Sequence, residues 1–150
     1  MGRGIELVAA AALTAVALWA GQARAEDQPS QQAGTAPALY IELNRVASGD
    51  ADGCRLTFVV RNATGADLPE PRFEFVLFDK DGLVDRLTTF DFGALVTDKT
   101  SVRQFDLPGA SCDRLGRILV NGPARCGDGS APHCKAELSL ASRTDIPLNR

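Results

Sequence analysis

From Ala38 onward the apolar residues recur at every second position rather than at every third or fourth. Residues 54–60, CRLTFVV, set Cys54, Leu56, Phe58 and Val60 on one face and Arg55 and Thr57 on the other. Residues 72–78, RFEFVLF, do the same with Phe73, Phe75 and Leu77. Their opposite face carries Arg72, Glu74, Val76 and Phe78, so that strand is expected to be covered on both sides at its end. Alternation over four to eight residues is the signature of half-buried strands. Further strands are expected at 39–46, 83–90, 102–107, 117–121 and 136–141.

The segments between them are rich in turn chemistry: SGDADG, NATGADLPEP, DKDG and LPGASC. Glycine tolerates positive φ, and Asn or Asp can satisfy nearby backbone groups with its own side chain. Short strands at this spacing predict an all-β fold, an antiparallel β-sandwich of about seven strands over residues 38–150, with a small closed barrel as the competing architecture.

The chain begins differently. Arg3 is followed by a wholly uncharged, mostly apolar run from Leu7 to Ala20, and Ala23-Arg24-Ala25 supplies small residues at the two positions read by signal peptidase. This layout predicts a bacterial-type signal peptide over 1–25, cleaved between Ala25 and Glu26. The run is too short for a membrane span, which needs about 20 apolar residues. Residues 26–37, polar and proline-containing, are expected to form a flexible leader. The mature protein is therefore expected in the periplasm or outside the cell, with no stable membrane insertion after cleavage.

Charge narrows the partner classes. Removing residues 1–25 takes Arg3, Arg24 and Glu6 from 16 Lys+Arg and 19 Asp+Glu, leaving 14 against 18, a net charge of −4. A mildly acidic chain with dispersed charge lacks the electrostatic footprint of a nucleic-acid binder. No basic run or basic amphipathic helix suggests a membrane surface.

Four cysteines in an exported domain of this size predict a disulfide framework, because thiols are oxidised in that compartment. Cys54 shares the inward parity of Leu56 and Phe58, and Cys112 closes the turn after a distant strand, so Cys54–Cys112 is the expected long bond. Cys126 and Cys134 flank a Gly-, Pro- and Ser-rich segment, RCGDGSAPHC, that can fold back into a stapled turn. The same stretch holds the only histidine, His133, expected on the surface without ligand duty. As metal ligands Cys126, Asp128, His133 and Cys134 are weak candidates, since neither C-x₂₋₄-C nor H-x₃₋₅-H spacing occurs. No C-x-x-C redox motif is present either. No cofactor is expected.

Other strings dissolve in context. DFG at 91–93 lacks every companion motif of a kinase and is read as a strand end entering a turn. DKDG at 79–82 resembles the opening of an EF-hand, but Phe90 stands where calcium needs a bidentate Glu, so a hairpin turn is expected. Asn62-Ala63-Thr64 has glycosylation spacing and is read as a turn. No G-x-S-x-G elbow accompanies any serine, and no catalytic residues are assigned.

FVLFD at 75–79 resembles the core of the FxLYD domain, with Phe78 where that family usually has Tyr. The similarity extends over residues 56–107 through a strand ending VVRN, the DKDG turn and the later RQFDLP. The resemblance implies an immunoglobulin-like sandwich on the outer side of a bacterial membrane, without a settled activity; the four cysteines depart from it. Together these features point to an exported, non-enzymatic interaction module that holds another envelope protein through its loops or a strand edge. The alternatives are a periplasmic metal-handling protein built on the Cys126–Cys134 loop and a minor hydrolase.

Overall fold

The computed structural model describes residues 38–49, 52–125 and 130–150; the expected signal (1–25) and leader (26–37) lie outside them. Eight strands occur among the described residues: β1 (Ala38–Ser48), β2 (Cys54–Ala63), β3 (Arg72–Asp79), β4 (Val84–Asp91), β5 (Thr100–Leu107), β6 (Leu115–Pro123), β7 (Glu137–Ser142) and β8 (Leu148–Asn149). They form two sheets, ordered β5-β2-β1-β7 and β4-β3-β6-β8. This is an immunoglobulin-like sandwich rather than a closed barrel, and each of the seven expected strands is present.

Two pairings depart from a purely antiparallel arrangement: β7 runs parallel to β1, and β8 parallel to β6. Strand β7 follows β6, which belongs to the other sheet, so the chain reaches the free edge of β1 by crossing over. Without a hairpin to enforce reversal, parallel pairing is open to it.

The expected parity holds in both diagnostic strands. Cys54, Leu56, Phe58 and Val60 of β2 and Phe73, Phe75 and Leu77 of β3 are buried and join one core between the sheets. Phe58 sits at its centre, its ring centroid 5.6 Å from Phe75, 5.9 Å from Phe90 and 6.0 Å from both Phe92 and Phe105. Where edge strands β4 and β5 face each other, Phe90 stacks on Phe105 at 4.2 Å and closes the seam.

Asn62 is a polar exception, fully buried at the end of β2. Its Nδ2 donates to the carbonyls of Ala66 and Leu95, both at 2.8 Å, and its Oδ1 accepts from the Thr64 backbone N–H at 3.1 Å and the Thr64 hydroxyl at 2.8 Å. One amide thus ties the loop after β2 to the loop before β5, whose Leu68 and Leu95 exchange backbone hydrogen bonds. The NAT stretch is not the expected turn: Asn62 and Ala63 close β2, paired with Leu39 and Ala38 of β1, and only Thr64 begins the bend, while the Asn62 amide nitrogen is committed inside the fold. Asn62→Asp should destabilise the domain by roughly 2–4 kcal/mol, because a carboxylate cannot donate to the two carbonyls and an unpaired buried acceptor costs about 1–3 kcal/mol. Chemical denaturation would measure this, and an effect under about 0.5 kcal/mol would contradict the assigned role.

The DKDG segment is the expected hairpin turn. The Asp79 carboxylate accepts from the backbone N–H groups of Asp81 (3.0 Å) and Leu83 (2.9 Å), and Gly82 supplies φ +82°. Opposite it Gly116 packs so closely on β3 that a Cβ would collide with the Asp79 carbonyl.

Candidate functional site

The cysteine framework positions one end of the sandwich. Cys54, at the start of β2, is bonded to Cys112 in the 3₁₀ turn Cys112–Arg114, across a sequence separation of 58. Cys134 is also disulfide-bonded; the expected pairing with Cys126 falls on a residue outside the described set, as does Asp128.

His133 corrects the sequence expectation. It is 7% exposed rather than at the surface. Pro132 opens a 3₁₀ turn, Pro132–Cys134, that tucks the imidazole inward. There Nε2 lies 3.3 Å from the Ala124 carbonyl and the ring meets Phe73 edge-on at 6.0 Å. A histidine read as having no structural part is a packing residue. Among the described residues no group of three His, Cys, Asp or Glu side chains converges to hold a metal ion.

The DFG residues also serve the fold. Phe92 is fully buried, and the Asp91 carboxylate accepts from the Gly93 backbone N–H at 2.9 Å and from Arg72 Nε at 2.7 Å.

What stands out is the outer face of the β4-β3-β6 sheet. Cross-strand register puts Leu87, Val76 and Leu119 in one row and Val84, Phe78 and Arg117 in the next. The Arg117 guanidinium lies 3.9 Å from the centroid of the Phe78 ring, a cation–π stack that extends the apolar surface with an aliphatic stem. Val76 points away from the core, yet is only 7% exposed, flanked by its partners Leu87 and Leu119. This is the two-sided cover expected at the end of β3. Leu83, Val84 and Leu87 remain 66%, 61% and 58% exposed.

The patch has a polar border. In the next rows Glu74 accepts a hydrogen bond from Asn121 Nδ2, and Arg72 bridges to Asp91. Glu74 is therefore engaged rather than freely solvated. The outer face of the other sheet is of a different character: Arg55 forms a two-pronged pair with Asp106 (2.7 and 3.0 Å), Gln104 reaches Thr57, and Arg143 pairs with Glu42 at 3.0 Å. Only Val102, beside Val59, is a strongly exposed aliphatic there.

Strand β4 also ends its sheet, and no described strand pairs with its outer side. Between it and edge strand β5 runs an open, polar groove of about 580 Å³, lined by Arg86, Thr88, Gln104 and Asp106 among others. At its end Arg86 donates to the Pro108 carbonyl at 3.2 Å. A smaller cleft of about 60 Å³, lined by Cys54, Asp79, Asp85 and Arg114, adjoins the disulfide. Comparison with family models, curated proteins and solved structures finds no match.

Three surface carboxylates are held below their ordinary range. For Asp91 the main cause is the Gly93 N–H, followed by Arg72; for Asp106 it is Arg55; for Glu42 it is Asn44, followed by Arg143. A carboxyl whose folded-state pKa is lowered stabilises the fold fully above its unfolded pKa and loses that contribution as the pH falls through the folded value. Stability should accordingly be flat from pH 7 to 5 and fall below about pH 4. The loss should be modest, because all three groups are solvent-screened. Melting temperature against pH would check this; a fall already complete by pH 5 would contradict it.

Proposed function

We propose that this chain is an exported, non-enzymatic binding module of the periplasm, an FxLYD-like domain that holds another envelope protein against the β4 side of its second sheet. The observation that carries this is the outer-face patch of Val76, Phe78, Val84, Leu87 and Leu119 lying beside the unpaired edge of β4. Contiguous apolar surface with a polar border marks interaction sites, and an open strand edge can accept an added strand with no catalytic residues at all.

Export is supported by the signal-like layout of residues 1–25 and by the oxidised Cys54–Cys112 pair, since such bonds persist in oxidising compartments. Among the described residues no helix is long and apolar enough to cross a membrane. The FxLYD resemblance is supported by the placement of its central motif: Phe75 and Leu77 enter the core while Asp79 shapes the following turn. A metal-handling role is disfavoured, because Cys134 is tied in a disulfide and His133 is packed against Phe73.

Affinity capture from a periplasmic extract tests the proposal. Wild-type protein and Val102→Lys should retain the same partner, and Leu87→Lys should lose it. Equal capture by all three would refute the assigned surface.

A further inference from the structure

The two ends of the Cys54–Cys112 bond differ in access. Cys54 is 1% exposed and belongs to the core, and its cross-strand partner Leu107 is buried as well. Cys112 is only partly buried, in a 3₁₀ turn where Ser111, Asp113 and Arg114 are exposed. Its Sγ lies 3.1 Å from the Ala47 carbonyl near the end of β1, at the margin of that sheet. Cys112 also lines an open cleft of about 280 Å³.

We infer that Cys112 is the sulfur at which this bond exchanges with outside thiols, that cationic thiols are the preferred class, and that Cys54 is the thiol that restores the bond.

Exchange is attack by a thiolate on one sulfur of a disulfide, and access decides which sulfur is attacked. The small cleft that reaches Cys54 is walled by Leu77, Leu107 and Leu115, all buried. The open cleft at Cys112 offers an approach. There the incoming sulfur bonds to Cys112 Sγ, the Cys54–Cys112 bond breaks, and its electron pair leaves on Cys54 as a thiolate that takes up a proton. One disulfide replaces another, so no oxidant or reductant is consumed. A charged Cys54 is disfavoured among apolar neighbours, so the open form tends to revert. In the reverse step the Cys54 thiolate attacks Cys112 Sγ and expels the outside thiolate.

Charge sets the preference. The charged side chains lining the open cleft are Asp52 and Asp113, and neither forms a hydrogen bond or ion pair with a described residue. An arriving thiolate is itself negative. An ammonium group on the same molecule offsets the repulsion, whereas a carboxylate adds to it.

The test treats native oxidised protein with cysteamine (cationic), mercaptoethanol (neutral) or mercaptoacetate (anionic) at low salt, quenches in acid, and maps peptides by mass. The adduct should sit on Cys112 with Cys54 as a free thiol. Asp52→Asn combined with Asp113→Asn separates charge from intrinsic nucleophilicity. It should slow cysteamine, speed mercaptoacetate and leave mercaptoethanol unchanged, shifting the cysteamine-to-mercaptoacetate rate ratio by about tenfold at low salt. Once the reagent is removed, the Cys112 adduct should vanish as the original bond returns. An adduct on Cys54, or on both cysteines equally as global unfolding would give, would overturn the assigned sulfur. A native bond inert to all three thiols would do the same. A rate ratio indifferent to the two Asp substitutions would overturn the charge preference, and a persistent Cys112 adduct would remove the restoring role from Cys54.

Discussion

Phe58→Ala should destabilise the domain by about 3–5 kcal/mol, the range for truncating a buried aromatic whose site cannot collapse. The upper part of that range is expected. Phe58 is fully buried and belongs to β2, while Phe75 and Phe90 come from β3 and β4 of the opposite sheet. It is therefore the ring on which the two sheets meet. Tilted and edge-on ring pairs add roughly 0.5–1.5 kcal/mol beyond area burial, and Phe58 makes contacts of this kind with Phe75, Phe90, Phe92 and Phe105. Phe78→Ala on the outer face supplies the control, since that ring is half-buried beneath Arg117 and lies outside the core. Urea denaturation of both variants should separate them clearly. Equal losses would mean that the inner and outer faces of the second sheet have been exchanged.

Loss of the Cys54–Cys112 bond, by replacing both residues with Ala, should cost about 2–5 kcal/mol. The bond closes a long segment, with a sequence separation of 58 between its ends. A loop of that size places the chain-entropy contribution near 4 kcal/mol. Its location adds to the effect. Cys54 begins β2 directly opposite Ser48 of β1, and Cys112 follows β5, so one crosslink holds the β1–β2 hairpin against the connection into β6. The double variant should unfold at markedly lower urea than the oxidised wild type. A change under about 0.5 kcal/mol would mean that the hydrophobic core alone sets stability.

Much of this architecture is legible in residue alternation, and particular residues show where legibility ends. Cys54 could be paired with Cys112 because its parity matches Leu56 and Phe58, and a bond from an inward position must meet another element beneath the sheet. Strand β8, Leu148–Asn149, is too short for any period to register. The parallel pairing of β1 with β7 depends on which free edge a crossover reaches, and alternation is silent on that.

His133 departs from its expected surface position, and Asn62, at the end of β2, has a burial that residue type does not announce; both are buried by an approach of distant segments. Asn62 meets Leu95 across 33 positions, and His133 meets Phe73 of β3. The candidate site was half visible. Val76 and Phe78 on the second face of β3 already signalled cover on both sides. What joins them to Leu87 and Leu119 is cross-strand register, and register depends on bulges such as those at Leu77/Phe78 and Phe78/Asp79, which no periodicity announces.

Site-specific photo-crosslinking in the envelope of expressing cells tests the central claim most directly, with a photoreactive residue placed at Leu87 on β4 or at Val102 on β5. Protein adducts should form from position 87, with little from position 102. Adducts from position 102 and none from 87 would contradict the account, as would no adduct from either.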